Sequence, residues 1–112
     1  MVTVSALSFM ISRYRNAEIS VIKLSEVTTF SWDKVYFFGP YTPLSYLEYA
    51  VGRSWRSVCF TQIDTLEGYT LLVFTNKQKV VHCLEYPIDS FNFSSLAKYS
   101  SGLLIQDALF IR

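Results

Sequence analysis

The chain has 112 residues, of which 51% are hydrophobic, 17% aromatic and 17% charged, and its net charge is +1. This length is typical of a single domain, residues 1–112, and the apolar content is enough for one core. The densest groups of basic residues are pairs such as Lys77 and Lys79. The chain therefore lacks the basic patch of nucleic-acid binders, and we expect no nucleic-acid partner.

Residues 1–15 begin with an uncharged apolar stretch that runs into Arg13 and Arg15. Val4, Leu7 and Ile11 fall on one helical face, which predicts an amphipathic first helix. The alternative is the remnant of a longer N-terminal anchor that has been trimmed. This stretch is too short to be the whole anchor, because a spanning helix needs about 20 apolar residues. Whether Met1 is the native start stays open, and we expect no membrane partner for the chain as given.

The next segments predict two strands and a helix. Residues 18–24 and 34–38 are rich in β-branched and aromatic residues, as strands are. Thr42 is placed to cap a helix and Pro43 to occupy its first position. Gly52 is placed to end that helix in a left-handed conformation.

The second half predicts an antiparallel meander. Residues 56–63, 69–75 and 79–86 are strand-like and are joined by short polar turns, and residues 105–111 predict a final strand. One or two short helices followed by consecutive strands indicate an α+β fold. Its sheet is expected to be mostly antiparallel, with about four to six strands.

Two cysteines, Cys59 and Cys83, both lie in strand-like runs. Two buried free thiols are the favoured interpretation. A disulfide is the alternative, and it requires an oxidising compartment and Cα atoms within about 7 Å.

The residues that usually carry catalysis are scarce in this chain. His82 is the only histidine, and alternation on a strand predicts that it shares an apolar face with Val80, Leu84 and Tyr86. Metal-ligand spacing and phosphate-binding glycine loops are absent from the sequence. We therefore expect a protein that is not an enzyme and that has no cofactor and no metal. A nucleophilic pair of Cys59 and His82 is the weaker alternative.

Eight tyrosines and two tryptophans form an unusually large inventory of amphipathic contact residues. Tyr, Trp and Arg carry most of the energy at protein interfaces, although they also pack small cores. Core packing is the expected role of the strand aromatics Tyr36, Phe38, Phe60 and Phe74. The aromatic and arginine residues predicted to bind a partner protein are Trp32, Tyr41, Tyr46, Tyr49, Arg53, Trp55 and Arg56.

One motif resembles a pattern in small, uncharacterised bacterial proteins that look like envelope lipoproteins or single-anchor proteins. It comprises Leu24–Thr28 and a run of the form W-D-x-V-Y-x-F-x-P-Y-T, which spans residues 32–42, and then Gly52. The similarity continues through Leu71–Pro87 and Asp107–Phe110. The resemblance implies a compact binding domain and supports the trimmed-anchor interpretation, but it brings no catalytic residue.

These patterns favour a non-catalytic bacterial protein-binding domain, most concretely an immunity protein that binds and blocks a toxin such as a nuclease. The link to immunity proteins is an analogy of size and style rather than of motif. Such a protein would be cytoplasmic. The alternative is an envelope-facing domain of a lipoprotein or single-anchor protein, in the cell envelope or periplasm.

Overall fold

A four-stranded antiparallel sheet forms the centre of the chain. The computed structural model describes residues 21–23, 28, 30–88, 101–107 and 109–111. Its strands are β1 (Val21–Lys23), β2 (Lys34–Phe38), β3 (Tyr69–Asn76), β4 (Lys79–Pro87), β5 (Leu103–Leu104) and β6 (Leu109–Ile111). The sheet order is β4-β3-β2-β5, while β1 pairs separately with β6. The α+β prediction is confirmed, and the predicted helix in residues 1–15 lies outside the described residues.

The hairpin of β3 and β4 was predicted within one residue at each end. Its two-residue turn places Lys77 and Gln78 at φ 52° and 69°, which is the geometry that matches the twist of paired strands. A bulge follows, because Phe74 pairs with His82 while Thr75 pairs with Val80. Val81 is the extra residue, so alternation shifts there.

This bulge corrects the predicted partners of His82. Leu84 and Tyr86 share its face of the sheet, as expected from alternation. Val80 instead joins the apolar core on the opposite face. A sequence pattern with period two does not reveal the inserted residue, which exists only through pairing with β3.

The segment after β2 makes a tight turn into helix α1 (Leu44–Val51). The helix begins one residue later than predicted. Pro43 occupies the cap position, and the Thr42 hydroxyl donates to the Gly39 carbonyl at 2.7 Å instead of capping the helix. Gly52 ends α1 at φ 83°, and its amide donates to the Glu48 carbonyl at 2.8 Å. Its ψ of 173° departs from the left-handed helical value that was expected.

The predicted strand over residues 56–63 is wrong. A 3-10 helix spans Arg53–Ser57, and an irregular loop follows it. The Val58 amide donates to the Trp55 carbonyl at 3.1 Å, and the Ser57 hydroxyl donates to the Ser54 carbonyl at 3.0 Å. These local hydrogen bonds satisfy groups that a strand would present to a neighbour.

The predicted final strand over residues 105–111 is correct only in its second half. Ile105–Asp107 forms a short 3-10 turn, and Leu109–Ile111 is strand β6. The short strand β5 lies just before the predicted range and was not predicted. The amide of Ile105 donates to the Asp33 carbonyl at 2.8 Å just beyond the β2–β5 pairing, and β6 pairs with β1 rather than with β2.

The two faces of the central sheet are both buried. On the face we call the helix face, Phe38, Leu71 and Val73 pack against Leu47 and Val51 of α1. On the opposite face, called the far face, the ring of Phe74 lies 5.0 Å from those of both Phe30 and Trp32. β3 is buried at all six of its inner positions, which is why its sequence is almost continuously apolar.

Candidate protein-binding surface

A disulfide joins Cys59, in the loop after the 3-10 helix, to Cys83 on β4. Their Cα atoms are 5.2 Å apart, within the range that a bridge requires. The favoured prediction of two free thiols is therefore wrong, and the alternative of a bridge is the one the structure contains. The sequence pattern had placed Cys59 on a strand, whereas it lies in an irregular loop that the bridge joins to β4.

Three further hydrogen bonds hold the loop over residues 59–63. Oε2 of Glu85 accepts from the Thr61 hydroxyl at 2.8 Å and, more weakly, from the Gln62 amide at 3.4 Å. The carbonyl of Ile63 accepts from the Tyr41 amide at 2.8 Å. The disulfide and these bonds fix an irregular segment to β4 on one side and to the α1 entry turn on the other.

Three of the predicted residues, Tyr41, Tyr46 and Tyr49, are exposed at 57%, 42% and 87%. Tyr46 and Tyr49 are three positions apart on α1 and lie on the side opposite Leu47 and Val51, whose burial orients the helix. We call these three side chains the tyrosine surface.

The backbone of Tyr41 adopts φ 64°, a conformation that non-glycine residues seldom take. The hydrogen bond from its backbone amide to the Ile63 carbonyl holds that conformation in place. The side chain of Tyr46 is steadied by an edge-to-face contact with Phe38, with ring centroids 6.2 Å apart. Two of the three tyrosines are therefore supported by fixed neighbours, which reduces the entropy they would lose on binding.

Arg53 and Arg56 are both exposed, beside the C-terminus of α1. Arg56 forms an ion pair with Glu48, in which Nε is 2.9 Å from Oε1 and Nη2 is 3.4 Å from Oε2. The hydrogen bond from Arg56 lowers the pKa of the Glu48 carboxyl, and the same contact raises the pKa of Arg56. The guanidinium also lies 5.4 Å from the ring of Trp55.

The two tryptophans do not belong to the exposed surface that was predicted. Trp32 is 5% exposed on the far face, and its Nε1 donates to the Thr28 hydroxyl at 2.8 Å. Trp55 is 7% exposed within the helix-face core. Its Nε1 is buried and has no hydrogen-bond partner of standard geometry among the described residues. Both are correctly placed near the tyrosines in sequence but are turned inward by packing.

Phe60 is the exposed residue that sequence reasoning missed. It was expected to pack in the core, yet it is 92% exposed. The disulfide to Cys83 holds Cys59 in the core, and the next residue, Phe60, is turned to solvent. An open hollow of about 520 Å³ lies beside it, with Leu66, Tyr69 and Pro87 among its lining residues.

The alternative catalytic pair of Cys59 and His82 is not assembled. The sulfur of Cys59 is bonded to Cys83, and His82 lies on the far face with its ring 4.5 Å from that of Phe30. Across the part of the chain that the structure describes, no cluster of three potential metal ligands occurs. Within the same residues, no helix has the length and apolar character needed to cross a membrane.

Comparison with known proteins adds no further constraint, since the chain matches no family model, no curated protein and no solved structure. The resemblance to envelope lipoprotein-like bacterial proteins therefore stays a prediction.

Proposed function

We propose that this chain is a non-catalytic protein-binding domain, most concretely an immunity protein that covers and blocks a toxin domain, for example a nuclease. The observation that carries the proposal is the exposure of Tyr41, Tyr46, Tyr49 and Phe60, all on the segment that covers the helix face. Aromatic side chains with few rotatable bonds bury large contact areas at low entropic cost and dominate interface energies.

The charge of the chain shapes how such binding would work. A net charge of +1 does not steer the protein toward a basic partner at long range. Affinity would therefore depend on short-range contact with the aromatic side chains. Arg53 and Arg56 would lie at the rim, where a charge contributes mainly to partner choice.

The test begins with the neighbouring genes, one of which should encode a toxin domain if the proposal is correct. Wild-type protein should bind the purified domain in a calorimetric titration and restore growth of cells that express it. A double variant, Tyr41→Ala with Tyr49→Ala, should lose at least about tenfold in affinity, as removal of hot-spot aromatics does. Lys79→Ala is the matched control, because it removes an exposed side chain from the β3–β4 hairpin. Absence of wild-type binding, or equal binding by the double variant, would reject the proposal.

A second candidate is an envelope-facing domain of a lipoprotein or single-anchor protein that binds another protein there. The Cys59–Cys83 disulfide supports this candidate, because such bonds persist in oxidising compartments and are rare in the cytosol. The same aromatic surface would then bind an envelope partner, and the location would be the cell envelope or periplasm.

Location and redox state separate the two candidates. Cell fractionation should place the full gene product in the envelope if the second is correct, and in the cytosol if the cytoplasmic immunity protein is correct. Mass spectrometry of the non-reduced protein, taken directly from cells with thiols blocked, should show Cys59 and Cys83 joined if the protein is in the envelope. Free thiols on a cytosolic protein would reject the second candidate.

A further inference from the structure

Phe60 stands between two open hollows on the edge of the helix face. The first, of about 520 Å³, is lined by Tyr69 and Pro87, and the second, of about 500 Å³, is lined by Trp55 and Gln62. Phe60, Leu66 and Glu85 line both. The first hollow is mainly apolar, and the second has a mixed lining that includes Thr61 and Gln62. An exposed aromatic ring with a depression on each side is suited to an extended chain that places side chains in both. We call this surface the Phe60 hollows.

The charge of the Phe60 hollows is set by a single residue. Among the residues that line either hollow, Glu85 is the only one with a carboxylate, and none of them is Lys, Arg or His. Its Oε2 is used by Thr61 and Gln62, while no Lys or Arg pairs with it in the described part of the chain. A negative charge in an apolar depression favours an occupant that brings a cation.

We infer that the Phe60 hollows bind an extended segment of a partner protein in which an apolar side chain is followed by Lys or Arg. The apolar side chain would enter the hollow beside Leu66 and Tyr69, and the cation would lie against Glu85. This inference deepens the proposed function, because it assumes that the partner is a protein and specifies the chemistry of the segment it presents.

The rigidity of the hollows supports a preformed site. Cys59 lines the second hollow and Cys83 the first, so the disulfide joins their walls. Glu85 holds Thr61 on the other side of Phe60. A partner would therefore meet a surface whose loop is already ordered, which lowers the cost of binding.

The test uses the full-length oxidised protein and two peptide probes. One is a six-residue peptide of alternating leucine and lysine, and its twin carries glutamate in place of lysine. Backbone amide shifts of the isotope-labelled protein should change saturably at Leu66 and Glu85 with the basic peptide. The acidic twin should bind more weakly.

Two variants identify the groups responsible. Glu85→Gln keeps an oxygen that can accept from Thr61 but removes the charge, so affinity for the basic peptide should fall about two- to fivefold, as for an exposed ion pair. Phe60→Ala should weaken both peptides. Leu104→Ala is the matched control, because it removes an exposed apolar side chain that lines neither hollow and is not part of the tyrosine surface, so it should leave peptide binding unchanged.

Three outcomes would overturn the inference: no saturable shift, equal binding of the two peptides, or concentration-dependent self-association without peptide that Phe60→Ala removes. The last would assign the hollows to a second copy of this chain. If the peptide binds as expected but no toxin is neutralised, the proposed function fails and the inference stands. If the toxin is neutralised equally by wild type and Glu85→Gln, and the peptides bind alike, the inference fails alone.

Discussion

The two faces of the central sheet are closed in different ways. The helix face is covered by one continuous segment, residues 39–63, which contains α1, the 3-10 helix and the disulfide loop. On the far face the described contacts are between aromatic rings, with Phe74 packed against Phe30 and Trp32. Both faces are rich in aromatic side chains. On the far face these pack against one another, whereas the segment over the helix face turns several of them toward solvent.

One side of the molecule can therefore present aromatic side chains to solvent while the sheet beneath it stays covered. Among the described residues, the exposed large hydrophobic side chains on residues 39–63 are Tyr41, Tyr46, Tyr49 and Phe60. An amphipathic covering segment buries one side and presents the other. The far face uses its rings to fill space, so a change there should affect folding and not recognition.

The largest effect should come from the far face. Phe74→Ala should lower the free energy of unfolding by about 3 to 5 kcal/mol, because it removes a buried ring with three aromatic neighbours. Urea denaturation measures the loss. Tyr49→Ala, on the tyrosine surface, should change stability by no more than about 0.5 kcal/mol. Equal losses in the two variants would contradict the division of roles between the faces.

The disulfide should give the next largest effect, on the helix face. Replacing Cys59 and Cys83 together by alanine should cost about 3 kcal/mol, because the bond closes a loop with a sequence separation of 24 residues. Denaturation of oxidised wild type and of the double variant gives the difference. Adding reductant should destabilise the wild type and leave the variant unchanged; a wild type insensitive to reductant would show that the bond is not formed.

A smaller effect on stability should come from the β3–β4 hairpin turn, which is hydrogen-bonded to Asp33, the residue after Trp32. Gln78→Gly should stabilise the fold by about 1 kcal/mol, since Gln78 has φ 69° and glycine adopts that conformation without steric cost. Thermal unfolding measures the gain.

The tie itself can be removed separately. Oδ2 of Asp33 accepts a hydrogen bond from the Lys77 amide at 3.0 Å. Asp33→Ala should therefore lower the free energy of unfolding by about 1 kcal/mol. If Gln78→Gly destabilised the protein as Asp33→Ala does, the turn geometry assigned to Lys77 and Gln78 would be wrong.

The smallest effect should be that of the exposed ion pair on the helix-face segment. Arg56 lowers the pKa of Glu48 in the folded protein. The pair therefore stabilises the fold at pH values above 4.5, the ordinary pKa of this carboxyl. This contribution is lost as the pH falls through the lowered folded pKa. Unfolding of wild type and Glu48→Gln should differ slightly near neutral pH and converge in acid. A difference that grows in acid would contradict the sign.

Local patterns were sufficient for the regular elements. β2, β3, β4 and α1 were predicted because each depends on a short run of suitable residues bounded by a turn or a glycine. The bulge at Val81 and the break between β5 and β6 were not predicted, because both are set by strand pairing: the bulge by the register of β4 on its hairpin neighbour β3, and the break by the pairing of β6 with β1, which is distant in sequence.

The candidate surface divides in the same way. The helix that carries Tyr46 and Tyr49 was predictable from local signals alone, because a proline near its start and a glycine at its end bound a short run of helix-forming residues. Only the tertiary structure decided that Cys59 meets Cys83, that both tryptophans turn inward and that Phe60 turns outward. An irregular loop has no period of its own, so the orientation of its side chains is set by what it packs against.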